Sequence, residues 1–141
     1  MTTLRRISLL AAVGAFLMAL AGCGGGGDAA ADVTPPALEA VLAAPALAPN
    51  EATVSAEASA TDDSGVAEVA LVAEGPTTVR EELGEAGPGA YEGELDLPRN
   101  DGPGEVSYDV WVEATDAAGN VTASEAVTVL LDAPPAPPAG R

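Results

Sequence analysis

The chain has 141 residues, of which 22 are Asp or Glu and five are basic, giving a formal charge of −17 at pH 7. All five basic residues are arginine and His is absent, which excludes imidazole catalysis and imidazole metal ligands. So acidic a chain does not bind DNA, RNA or anionic head groups in the ordinary way, because phosphate binding needs clustered Lys or Arg. A single Cys excludes an internal disulfide and a thiolate zinc site.

Residues 1–22 have the layout of an export signal. Arg5 and Arg6 give a positive start, and residues 7–20 are apolar or small except for Ser8. The run is shorter than the roughly 20 residues a spanning helix needs. Leu4 and Ser8 spoil the twin-arginine pattern around Arg5-Arg6, so the general export route is favoured. The stretch ends in Leu20-Ala21-Gly22-Cys23, which resembles the lipobox of bacterial lipoproteins. The resemblance implies a diacylglyceryl group on the Cys23 thiol, cleavage before Cys23, and acylation (palmitate or a similar chain) of the new N-terminus. The alternative is an ordinary signal cut after Ala21 or Gly22 that leaves a free thiol. Each buried methylene contributes about 0.8 kcal/mol, so two or more chains hold a protein on a membrane firmly. Gly24 after the cysteine, where inner-membrane lipoproteins of enteric bacteria carry Asp, implies the outer membrane or cell surface, with sidedness open.

Residues 23–32 form a glycine-rich tether, expected to span about 15–20 Å. It is no phosphate loop, because no strand precedes it and it has no Lys. Once residues 1–22 are removed, Arg80, Arg99 and Arg141 alone face all the acids.

Residues 33–132 alternate with a period of two, the pattern of strands with one wet face. Taken in chain order, residues 38–42 are a weak candidate. Residues 52–60 place Val54, Ala56, Ala58 and Ala60 on one face, and residues 66–73 place Val69, Leu71 and Ala73 together. Residues 77–83 read as a strand, a loop or a short helical turn, because Arg80-Glu81-Glu82 breaks the alternation. Residues 90–97 set Tyr91, Leu95 and Leu97 against Glu92, Glu94 and Asp96. Residues 106–114 are clearest: Val106, Tyr108, Val110, Val112 and Ala114 face one way, and Ser107, Asp109, Trp111 and Glu113 the other. Residues 121–131 close the series with Val127, Val129 and Leu131 in step. Seven short strands between Gly, Pro, Asp and Asn turns predict an all-β, antiparallel sandwich or barrel. Residues 133–141 are a Pro-rich tail suited to polyproline II, read chiefly as a linker. With aromatics at 3%, the core is Ala- and Val-rich, and salt should stabilise it by screening self-repulsion.

Three segments resemble bacterial immunoglobulin-like and fibronectin-III-like modules. Asp32-Val33-Thr34-Pro35-Pro36 is similar to their opening, residues 58–69 to their second-to-third strand turn, and residues 108–120 to their closing hairpin. The resemblance implies a seven-stranded immunoglobulin-like β-sandwich acting as a spacer, adhesion unit or accessory domain. Residues 76–90 match nothing in that pattern.

Both turns have the form Asp-x-x-Gly, at residues 62–65 and 116–119. Asp suits the first position of a type I turn and Gly the fourth. In the immunoglobulin order the two loops emerge at one end, bringing Asp62, Asp63 and Asp116 close. Three carboxylates suit Ca2+, which takes six to eight oxygens in irregular geometry. The competing reading leaves Asp62 and Asp116 as turn caps and Asp63 spare. Tyr108 stands where sandwiches place a corner tyrosine whose hydroxyl bonds to backbone. Trp111 falls on the polar face, where it either meets a partner or sugar or is covered by its neighbours. Arg80 and Arg99 read as solvated counter-charges.

Without His, Ser-His-Asp and Cys-His catalysis are out of reach. Without Lys or a phosphate loop, so is phosphoryl transfer. The sequence therefore predicts a non-enzymatic, lipid-anchored envelope module that meets an unidentified protein or glycan. The alternatives are a calcium-responsive module and an acidic spacer or accessory subunit.

Overall fold

The computed structural model describes residues 31–136. The expected export signal, the expected lipid attachment at Cys23, nearly all of the tether and residues 137–141 of the tail lie outside the described residues.

The period-two alternation is realised as strands, and no helix occurs among the described residues. The strands are β1 (Ala37–Ala43), β2 (Leu47–Ala48), β3 (Thr53–Thr61), β4 (Val66–Glu74), β5 (Thr78–Glu82), β6 (Gly84–Gly87), β7 (Ala90–Asp96), β8 (Val106–Asp116), β9 (Val121–Ala123) and β10 (Val127–Leu131). They make two sheets. The first has the order β1-β3-β7-β6, and the second the order β2-β10-β8-β4-β5, with β9 also pairing β8. All pairs are antiparallel except β2 with β10. That exception arises because the chain leaves β1, passes Pro45 and joins the opposite sheet. There Leu130 and Asp132 donate backbone hydrogen bonds to Ala46 and Ala48 at 3.1 and 3.0 Å.

The apolar faces meet in one core. Val54, Ala56, Ala58, Ala60 and Leu95 come from the first sheet; Val69, Leu71, Ala73, Val110, Val112, Ala114, Val129 and Leu131 come from the second. Leu83, in the β5–β6 link, is also buried, and its N–H donates to the Val69 carbonyl at 2.8 Å. Its side chain occupies the space over Gly93 on β7, where an added Cβ would fall 2.9 Å from Leu83 Cδ2.

Among the described residues ten strands form where seven are expected, and the three surplus ones are short. β2 comes from the sheet crossing just described. β6 lies in the stretch whose sequence resembled nothing. β9 and β10 divide the segment predicted as 121–131, because Ser124 replaces a ladder residue: its N–H bonds the Val112 carbonyl, and its hydroxyl accepts from the Val112 N–H at 3.0 Å. Residues 77–83 contain a strand, not a helical turn; of β5 only Val79 packs against the core, and with its other residues exposed no alternation is imposed. On β4 the alternation disappears because Val69 to Ala73 are all buried. Its inner face meets the core. On its outer face Val72 lies in register between Arg80 and Trp111 and is only 5% exposed.

Candidate metal centre

The β3–β4 and β8–β9 turns are built by their aspartates. The Asp62 carboxylate accepts from the Ser64 N–H at 2.8 Å and the Ser64 hydroxyl at 2.7 Å, and the Gly65 N–H closes the turn on the Asp62 carbonyl at 3.3 Å. Asp116 repeats the plan. Its Oδ1 accepts from the Ala118 and Asn120 N–H groups, both at 2.8 Å, and Gly119 N–H closes on its carbonyl at 3.2 Å. Gly65 and Gly119 have φ of +93° and +92°, the left-handed region where a Cβ is penalised. The Ala117 N–H donates to the Gly65 carbonyl at 2.9 Å, tying the two turns together.

The third carboxylate at this end belongs to Asp32, not Asp63. One carboxylate oxygen from each of Asp32, Asp62 and Asp116 lies within 4.8 Å of the other two. Asp63, the expected third member, is outside this group and exposed. Asp32 is brought in by the segment that leads into β1. Asn120 Nδ2 donates to the carbonyls of Asp32 and Thr34 at 3.1 and 3.4 Å, and the Thr122 hydroxyl donates to the Pro36 carbonyl at 2.6 Å. The Asp32 Oδ1 accepts from Thr34 N–H at 3.0 Å, while its Oδ2 is buried with no hydrogen-bond partner. In the sequence Asp32 stands in the family-like opening segment, where no chemical role is expected of it. The Asp-x-Thr-Pro pattern was the available signal, and the closeness of Asp32 to the turns depends on β1 pairing with β3.

Asp116 is 2% exposed. Burial alone raises the pKa of its carboxyl. The hydrogen bonds from the Asn120 side chain and from the Asn120, Ala118 and Gly119 backbone outweigh burial, so the net direction is down and the carboxylate stays ionised. Two oxygens on one Ca2+ at about 2.4 Å lie at most about 4.8 Å apart, the limit within which this group falls. Oxygen-only ligands suit a hard cation and not zinc or copper.

Trp111 lies on the outer face of the second sheet and is half-buried. Its indole N–H donates to Glu113 Oε1 at 3.0 Å, and Glu113 Oε2 accepts from Arg80 Nη1 at 2.6 Å. Arg80 also pairs with Glu68 at 3.0 Å, so it is no free counter-charge; it and Trp111 roof Val72. The Trp111 hydrogen bond, opposed by desolvation and helped by Arg80, lowers the Glu113 pKa. Arg99 pairs with the exposed Asp101 at 3.1 Å. Tyr108 is buried as a corner residue would be, but its hydroxyl stands 3.5 Å from the Thr77 hydroxyl and not against backbone.

The chain matches no known protein-family model and no curated protein.

Proposed function

We propose that this protein is an exported lipoprotein, held on the bacterial envelope by acyl chains on Cys23, whose single immunoglobulin-like domain binds Ca2+ at one loop end and serves a non-catalytic binding or structural role. The observation that carries the calcium reading is Asp32, whose Oδ2 is buried without a hydrogen-bond donor and whose carboxylate lies close to those of Asp62 and Asp116. A buried carboxylate oxygen with neither hydrogen bond nor cation is costly, and three negative groups this close repel unless a cation joins them. The immunoglobulin-like reading is supported by the strand order and by a first strand shared between the two sheets through β1 and β2. The anchor rests on the lipobox, and the non-catalytic role on the lack of His and Lys.

A partner or glycan on the Trp111 face is a second reading, favoured by the half-exposed ring. Because the indole N–H already serves Glu113, such a ligand would meet the ring alone.

A thermal melt of residues 24–141 tests the calcium reading, first with chelator and then with Ca2+ or Mg2+ at matched ionic strength. Saturation to 100 times Kd stabilises by about 2.7 kcal/mol. For a domain of this size that corresponds to a rise of roughly 10–20 °C. Asp32→Asn is expected to abolish the calcium-specific rise while leaving the domain folded. Equal, small rises with both ions would refute the site and leave only charge screening.

A further inference from the structure

The strands that end a sheet carry unpaired N–H and C=O groups, a template for pairing that proteins blunt with Pro, charge, bulges or short length. Among the described strands, most such edges are blunted. β6 has four residues and a register shift between Glu85 and Gly87. β2 has two residues and lies between Pro45 and Pro49. β5 carries Arg80, Glu81 and Glu82, and β9 has three residues. β1 is different. Its seven residues run in unbroken register with β3, its one ladder partner, and contain no Pro and one charge, Glu39. Val41, on its outer face, is 70% exposed.

The sequence of β1 is nearly symmetric about Ala40, as Ala37-Leu38-Glu39-Ala40-Val41-Leu42-Ala43. If a second copy is laid antiparallel with Ala40 on the two-fold axis, all seven residues pair. Leu38 then opposes Leu42 of the second copy, and Ala37 opposes Ala43. Leu38, Ala40 and Leu42 pack against the core yet stay half-exposed, so the seam would extend the apolar layer from one copy to the other. On the outer face, Glu39 opposes Val41 of the second copy, and its methylenes cover that side chain without setting like charges opposite. Sliding the register so that Leu38 meets Ala40 sets Glu39 against Glu39, which is unfavourable. Slipping by one residue turns each apolar face outward.

We infer that β1 is a self-association edge through which two copies of this chain pair antiparallel, joining two four-stranded sheets into one. The contact is isologous, so it closes at two copies. The negative charge of each copy opposes association, and salt relieves that repulsion over a Debye length of about 8 Å at physiological strength. Self-association therefore tightens as salt is raised.

Sedimentation equilibrium of residues 24–141 across a dilution series, at low and high salt, tests this. A monomer–dimer equilibrium that strengthens with salt is expected. Val41→Glu sets two pairs of like charges across the seam and is expected to weaken the dimer on the order of tenfold or more. Adding Glu39→Lys to that variant pairs opposite charges and restores association. Val121→Glu, an equal charge change at an exposed site on β9, leaves association as it was. Melts of the dilute variants report whether each is folded. Should Val41→Glu not fold, Ala40→Cys tests the same register. Its thiols meet on the axis at a Cα separation of about 4.5–5.5 Å, within disulfide range, and it should cross-link on oxidation where Ala43→Cys does not. A single-chain mass throughout the series would overturn the inference. So would a Val41→Glu dimer as tight as the parent's, or equal cross-linking at positions 40 and 43.

Discussion

Asn100 holds one end of the domain together, and removing its amide is the sharpest test of how the loops are fixed. The side chain belongs to a buried residue, 5% exposed, in the β7–β8 connection. Its Nδ2 donates to the carbonyls of Gly104, Leu131 and Asp132 at 2.7, 3.1 and 3.0 Å. Its Oδ1 accepts from the Gly102 N–H at 2.9 Å, and its own N–H donates to the Asn50 carbonyl at 2.8 Å. Asn100→Ala therefore leaves three acceptors and one donor without their partner. The Leu131 carbonyl is the most enclosed of these and the others border solvent. Counting one full unsatisfied group at about 1–3 kcal/mol and a smaller loss at the rest gives about 2–4 kcal/mol. Against a total stability of roughly 5–15 kcal/mol this is large. It corresponds to a fall in Tm of about 10–25 °C. Urea unfolding followed by circular dichroism, with the m-value checked for constancy, measures it directly. Asn100→Asp keeps the acceptor for Gly102 but faces three carbonyls with a carboxylate, so it should cost at least as much as Asn100→Ala. A loss below about 0.5 kcal/mol for Asn100→Ala, the range of an ordinary surface change, would refute the reasoning.

Two further outcomes follow from the packing around β4 and β8. Gly75→Ala would place a Cβ 2.6 Å from the Ser107 carbonyl oxygen and from the Tyr108 ring. The carbonyl is backbone and cannot rotate aside, so the variant is expected to lose about 1–3 kcal/mol in a thermal or urea melt, and an unchanged midpoint would count against the close approach. Glu113 has a folded pKa below its unfolded value, so its contribution is fully present above the usual Glu range and fades as pH falls through the lower folded value. Because its partner Arg80 is partly solvated, that contribution is within about 1 kcal/mol. The stability gap between parent and Glu113→Gln should therefore narrow between pH 6 and pH 3, and a gap that is constant with pH would contradict the assignment.

The sequence alone determined which residues face the core. Val54, Ala56, Ala58 and Ala60 on β3, and the odd-numbered or even-numbered sets on β7 and β8, are legible because a half-buried strand imposes a period of two on its own residues. The two Asp-x-x-Gly turns were legible for the same local reason: a carboxylate caps N–H groups two residues on, and a left-handed φ selects Gly. What required the tertiary structure is whatever depends on pairing between distant segments. β4 lost its alternation because longer side chains of two neighbouring strands flank its outer face, Trp111 and Arg80 beside Val72, and Glu113 and Glu82 beside Ala70. β5 showed none because Val79 alone of its residues packs against the core and the rest are exposed. The carboxylate cluster took Asp32 in place of Asp63, since sequence distance does not reveal that β1 docks on β3 and delivers its entry segment to the turns. In the sequence Asn100 is one polar residue among many in a loop; its role exists only because the ends of β10 and of the β7–β8 connection meet around it. Local chemistry reads out from neighbours in the chain, whereas a site assembled from residues 32, 62 and 116 is written in the sheet register that brings them together.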